Sequence, residues 1–193
     1  MKLKPPESSF INPLHEVKGT SKEARASFYE RAKDKIKYIT EEEARKWFEE
    51  ATGQKCDPNV PITAAVFSNT IRSKHGSRKW LNNLEIIVNE DAFNIDGEDY
   101  SDLKPFVIEH EIYESWLRVK KGLGPEMERH KRHFLAKRRQ YLLAEQQGLG
   151  DKLLEWHTKR IPGQKDDHEY ALKVAKKQLG HLKSKKQEGE IKY

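Results

Sequence analysis

The chain has 193 residues, 35% hydrophobic and 35% charged, with a single cysteine and a formal net charge of +6. One cysteine excludes a disulfide framework and a Cys-rich zinc site, and no apolar run approaches the ~18–20 residues that span a bilayer, so no membrane partner is expected. A mean hydropathy of −0.96 marks a polar chain, yet four Trp, seven Tyr and seven Phe supply enough for a modest core, which argues against wholesale disorder.

Residues 1–19, "MKLKPPESSFINPLHEVKG", are punctuated by Pro, Ser and Asn and are expected to form an extended arm. They contain no apolar core of a signal peptide. Together with the lone Cys56 this suits a reducing, cytoplasmic setting. Residues 20–39 predict a helix opened by a Thr20–Glu23 capping box, and Thr40 with Glu43 repeats that spacing before a second short helix that Gly53 stops. The segments "VPITAAVFSN" and "LNNLEIIVNEDAF" are β-branched, apolar and bounded by turn residues, and predict strands. Between them lies a basic loop, and "NIDGEDYSD" is a turn-rich connection.

The second half predicts helices. One runs over 103–121 to Gly122, the next over 125–147 to Gly148 with Pro125 in its first turn. A short helix follows over 151–160. "IPGQKDD" links it to a last basic helix whose end frays. The expected fold is therefore α+β: a small central sheet of two to four strands, helices before it, and a helical hairpin or bundle after it. The expected division is the arm over 1–19, one α+β domain over 20–160 holding the candidate site, and a linker with a basic helix over 161–193.

The helix over 103–121 carries the chemistry. At about 100° per residue, Leu103, Phe106, Val107, His110, Tyr113, Glu114 and Leu117 share one face. Ile108, Ile112, Trp116 and Val119 form a second apolar stripe, so the helix should be covered on both sides. A carboxylate inside such a face must be paired, bind a metal or take up a proton. His110 and Glu114, one turn apart, are placed to share a cation, and Glu111 beside them is placed to hold a water as general base. On the next helix, Met127, Phe134 and Tyr141 mark an expected buried stripe. His130 lies on it and His133 on its flank. A short Gly-containing turn favours an antiparallel hairpin, which brings one of these histidines, His133 in preference, to His110 and Glu114 as a third ligand. His157 and His168 are looser candidates. Tyr113 and Tyr141 are candidates to steady an oxyanion.

A strand ending in "NEDAF" and a helix carrying "EHEIYE" resemble the arrangement of zincin-like metallopeptidases, where an edge strand precedes the active-site helix. The HExxE variant is also similar to small bacterial and phage proteins with HE-x-x-E, a Gly-containing turn, and H-x-x-A on the next helix, here His110, Glu111, Glu114, Gly124, His133 and Ala136. The resemblance spans roughly residues 84–148. It implies zinc ligands at His110, Glu114 and His133, a water-activating base at Glu111, and a peptide or protein substrate. Zincins carry histidine where this chain has Glu114, and a carboxylate there makes a harder site that tolerates Mn2+ or Fe2+ as well as Zn2+.

Charge supplies an alternative from another class. Residues 1–115 hold 17 Lys+Arg against 21 Asp+Glu, whereas residues 116–193 hold 20 against 10. The basic half could face nucleic acid through Lys131, Arg132, Lys137, Arg138 and Arg139, with counterion release as the driving force. A nucleic-acid-associated phage or mobile-element protein, including a metal-dependent nuclease drawing on His75, meets that pattern. A third reading is a non-catalytic α+β protein in which His110 and Glu114 belong to a buried polar network. The pattern sets neither the substrate nor the oligomeric state.

Overall fold

The computed structural model describes residues 22–52, 55–68, 85–119 and 129–187. The expected first helix ends early. Helix α1 is Lys22–Lys33, and the chain then turns into a strand, β1, Ile36–Ile39, where a helix over 20–39 was expected. Ile36, Tyr38 and Ile39 are β-branched or aromatic and favour extended backbone, and a partner strand decides the matter. Helix α2, Glu41–Thr52, opens on the expected capping box. The Thr40 amide donates to Glu43 Oε2 at 2.9 Å and the Glu43 amide donates to Thr40 Oγ1 at 3.3 Å. The cap at Thr20, the stop at Gly53, the basic loop with His75, and the turn with Gly122, Gly124, Pro125 and Met127 lie outside the described residues.

The two expected strands are present and shorter than the patterns suggested: β2, Ala65–Ser68, and β3, Glu85–Asn89. The sheet order is β1-β3-β2. Central β3 pairs parallel with β1, Ile36 opposite Ile86, and antiparallel with β2, Ala65 opposite Val88. Its side chains alternate between two covered faces. Ile86 and Val88 enter the main core, while Ile87 and Asn89 line a small cavity together with Ala44, Trp47 and Phe48 of α2. The stretch expected to be a plain connection contains a two-residue hairpin, β4 Asn94–Ile95 with β5 Glu98–Asp99. Asp96 and Gly97, with φ of 54° and 82°, make its turn, which is the positive-φ pair that an Asp-Gly hairpin turn requires.

Helix α3, Lys104–Val119, crosses the centre of the molecule. Both of its apolar stripes are buried: Phe106, Val107, Tyr113 and Leu117 on one, Ile108, Ile112 and Trp116 on the other. The sheet and α1 cover it from one side. Helix α4, Arg129–Gln146, covers it from the other and runs antiparallel to it, since Glu109 and His110 meet Arg139 and Gln140 while Glu114 meets His133. Gly148, at φ +74°, ends α4. The Leu149 amide donates to the Ala144 carbonyl at 2.9 Å and the Gly148 amide to the Glu145 carbonyl at 3.1 Å, the bond pair of a left-handed helix stop. Helices α5, Gly150–Arg160, and α6, Lys165–Gln187, pack on α4 and on each other. The expected linker shrinks to a single turn, Pro162–Gln164, and Asp166 and Asp167 in the first turn of α6 suit its positive end. Ala171, Leu172 and Ala175 of α6 join the same core as Ile86 and Leu117. Among the described residues no helix is long and apolar enough to cross a membrane.

Candidate metal centre

The α3–α4 pairing sets two turns of each helix face to face. His110, Glu114 and His133 meet there, and their ligand atoms all lie within 4.8 Å of one another. His110 Nε2 is 3.1 Å from His133 Nδ1 and 3.6 Å from Glu114 Oε2, and His133 Nδ1 is 3.2 Å from Glu114 Oε2. Zinc–ligand bonds of ~2.0–2.2 Å in a tetrahedron put neighbouring ligand atoms about 3.3–3.6 Å apart. One side of the triangle, 3.6 Å, has that length, and the other two, 3.1 and 3.2 Å, are slightly shorter, so the three atoms would move apart by a few tenths of an ångström around an ion. Burial grades across it: the side chains of His110, Glu114 and His133 are 8%, 23% and 48% exposed, so the cluster is rooted in the core and opens outward.

Protonation follows from the hydrogen bonds. His110 Nδ1 lies 3.1 Å from Gln140 Oε1. A carbonyl oxygen only accepts, so Nδ1 carries the proton and the Nε2 lone pair faces Glu114 and His133. This is the outer support that metal-binding histidines receive. Burial, opposed by the Glu114 carboxylate, lowers the His110 pKa and favours the neutral ring. Burial acts to raise the Glu114 carboxyl, but the two neighbouring imidazoles outweigh it, with His133 Nδ1 at 3.2 Å supplying the hydrogen bond, and hold the group well below the usual carboxylate range. The set is therefore two imidazoles and a carboxylate, the donor chemistry of a divalent transition metal.

The triangle sits on the wall of a cleft of about 720 Å³. Glu111 lines it, half-buried, one residue from His110. His130 also lines it but is exposed and stands outside the triangle. Tyr113 and Tyr141 do not line it. Tyr113 is buried under the Arg139 guanidinium, 4.9 Å from its ring centre. The Tyr141 hydroxyl is hydrogen-bonded to His168 Nδ1 at 3.1 Å. The expected α4 stripe needs correction: Tyr141 is buried, but Phe134 is 38% exposed at the cleft. Helix α4 lies between α3 and α6, so its buried positions follow Ala136, Gln140 and Ala144 instead, where small residues admit close helices.

Of the basic residues on α4, Lys131 is exposed, Arg132 and Lys137 are buried, and Arg138 and Arg139 are half-buried. Arg139 is bound to Glu109 at 2.6 Å. Lys137 opens onto the cleft rather than onto the outer surface. Three cleft residues carried little or no signal in the sequence. Gln140 had none beyond its seven-residue spacing from His133. His157 and His168 converge on each other, rings stacked with centres 3.8 Å apart, with Gln140 Nε2 at 3.5 Å from His157 Nε2. Burial pushes His157 well down, helped by the Lys137 and Arg160 charges and by the cost of placing a second positive ring beside His168 or His110, and brings His168 to about 3 with Lys137 adding to the effect. Arg160 is committed to structure: it donates to the Ala92 carbonyl at 3.0 Å and to the Ile62 carbonyl.

No protein-family model, no curated protein and no solved structure matches this chain.

Proposed function

We propose that this protein is a metal-dependent hydrolase of the peptidase kind, with His110, Glu114 and His133 holding a divalent ion, Zn2+ first and Mn2+ or Fe2+ as substitutes. The observation that carries the reading is the triangle of ligand atoms at 3.1, 3.2 and 3.6 Å, close to the spacing three protein ligands would take around a zinc ion that keeps a further position for water or substrate. An ion held there supplies Lewis acidity and lowers the pKa of water. The protein's own residues do the rest. Gln140 keeps the His110 lone pair turned inward. Glu111, on the cleft wall, takes a proton from the attacking water and returns it to the leaving amine nitrogen, which closes the proton balance. The free Cys56 goes with a cytoplasmic setting.

The test begins with metal content. Protein purified without a histidine tag should carry about one equivalent of zinc, and His110→Ala and His133→Ala should each lose it. The loaded protein should cut members of a peptide library. Chelator should stop the cutting, and Glu111→Gln should stop it while leaving the metal in place. Absence of stoichiometric binding of Zn2+, Mn2+ or Fe2+ would sink the reading. Cleavage of oligonucleotides but not peptides would transfer the site to the nuclease alternative.

A further inference from the structure

The cleft has a second polar end, which the metal reading leaves unused. Lys137 follows His133 by one turn of α4, so the two side chains leave the same face about 6 Å apart along the axis. Lys137 is only 4% exposed, yet it lines the cleft. Its ammonium has the Asp167 carboxylate at 3.8 Å, on a side chain that is itself 79% exposed. The rings of His157 and His168 stand nearby, and burial keeps them neutral. A buried ammonium is costly without close anionic partners, and a single long ion pair to a solvated carboxylate offsets little of that. An anion entering the cleft would complete the arrangement.

We propose that the Lys137 end of the cleft is a recognition subsite for the free C-terminal carboxylate of a peptide, so that the bond addressed is the one joining the terminal residue. Three observations favour a peptide end. One residue of extended chain spans ~3.3–3.6 Å, of the same order as the ~6 Å of axis between the points where Lys137 and His133 leave α4, so a carboxylate held by Lys137 has its preceding carbonyl on the His133 side of the cleft. The cation is buried, which suits a group that ends a chain; a nucleic-acid strand continues in both directions and needs an exposed basic track, and on α4 Arg132 and Lys137 are buried while Arg139 is held by Glu109. The cleft also has an apolar rim for a terminal side chain. Phe134 and Ile161, each 38% exposed, line it, and Tyr170 stacks on Phe134 with ring centres 6.0 Å apart. The subsite stands on Lys137 alone; only the position of the bond cut rests on the hydrolase reading.

The experiment is therefore a binding measurement on the full chain kept metal-free with chelator, using calorimetry and the imidazole resonances of His157 and His168. The probes are N-acetylphenylalanine, its amide, and phenyl phosphate. The acid should bind and shift both imidazoles, and the amide should bind at least about tenfold more weakly, the scale of a charge-assisted contact. Lys137→Gln should lose the acid by a similar factor, with its fold checked by circular dichroism. Asp167→Asn removes a competing carboxylate from an exposed position and should tighten the acid severalfold. Equal binding of acid and amide would overturn the proposal, as would unchanged affinity in a folded Lys137→Gln. Should that variant not fold, Asp167→Asn decides, and unchanged or weaker affinity overturns the subsite. Phenyl phosphate binding tenfold tighter than the acid would overturn the assignment to a peptide terminus. Acid binding without any peptide hydrolysis would strike the hydrolase reading and support the subsite.

Discussion

Gln140 offers the sharpest separation of a metal site from a core hydrogen bond. It is 2% exposed, and its Oε1 accepts the His110 Nδ1 proton at 3.1 Å. Gln140→Leu keeps most of the volume and removes the acceptor. The orphaned, buried N–H should cost about 1–3 kcal/mol of folding stability. Losing the partner also frees the imidazole to rotate or change tautomer, and loss of such a support typically weakens metal binding about 10–100-fold, or about 1.4–2.8 kcal/mol. Gln140→Glu should act the other way on the metal, because a carboxylate accepts the same proton in a charge-assisted bond and makes the imidazole a stronger donor. Zinc affinity is read by competition with a fluorescent chelator, and stability by urea unfolding in excess chelator. Weakening in Gln140→Leu together with tightening in Gln140→Glu is the expected pair. Lost stability with wild-type zinc affinity in Gln140→Leu would refute the reasoning and return Gln140 to an ordinary place in the core.

Other regions give independent checks. In chelator, stability should fall as pH drops from 7 to 5: His168 is held at about 3 by burial, with Lys137, His110 and His133 adding, against ~6.5 in an unfolded chain. The unfolded state then binds more protons throughout that window, so stability rises with pH by up to about 1.4 kcal/mol per unit from this group; urea unfolding at pH 5, 6 and 7 should show a shallower slope in His168→Gln, and equal slopes would contradict the assignment. Trp156 stacks on Phe93 at 5.0 Å and donates to the Ala92 carbonyl at 2.9 Å. That carbonyl also accepts from Arg160, so Trp156→Phe should cost only about 1 kcal/mol while Trp156→Ala costs about 3–5, and similar unfolding midpoints for the two would be inconsistent with this packing. Gly148→Ala meets no atom within 4 Å, so its penalty is the left-handed backbone alone, about 1–2 kcal/mol; a melting temperature equal to the wild type would show that α4 ends differently.

The fold was legible where a local signal and the tertiary outcome agree. The Thr40–Glu43 box, the stop at Gly148 and the two-sided apolar pattern of α3 each have a local physical cause, and each is present. Strand β1 failed that condition. Its four residues follow a helix without Pro or Gly between them, and their extended form depends on β3, whose residues lie about fifty positions further on. The hairpin at Asp96–Gly97 is a different case. The dipeptide was a usable signal, but strands of two residues are too short to show an alternation of their own.

At the candidate site the same division applies, and it explains why α3 was easier to read than α4. On α3 the polar residues interrupt an otherwise apolar face, so His110 and Glu114 stand out against their neighbours. On α4 three of the buried positions are themselves polar: Gln140, Lys137 and Arg132 lie among residues of the same character on the exposed side. Hydropathy cannot separate them, because what selects the inward set is the direction from which α3, α5 and α6 approach. That approach also decides chemistry. Lys137 in a basic run suggests a phosphate contact, whereas Lys137 lining a cleft, a turn from His133 and beside two neutral imidazoles, is a recessed positive charge, and the cleft's other cation, Arg160, is engaged by backbone carbonyls. A recessed charge selects ligands by whether they can bring an anionic end inside, a stricter criterion than net charge, and on the proposed reading that selection would fall to α4, the helix that also carries His133.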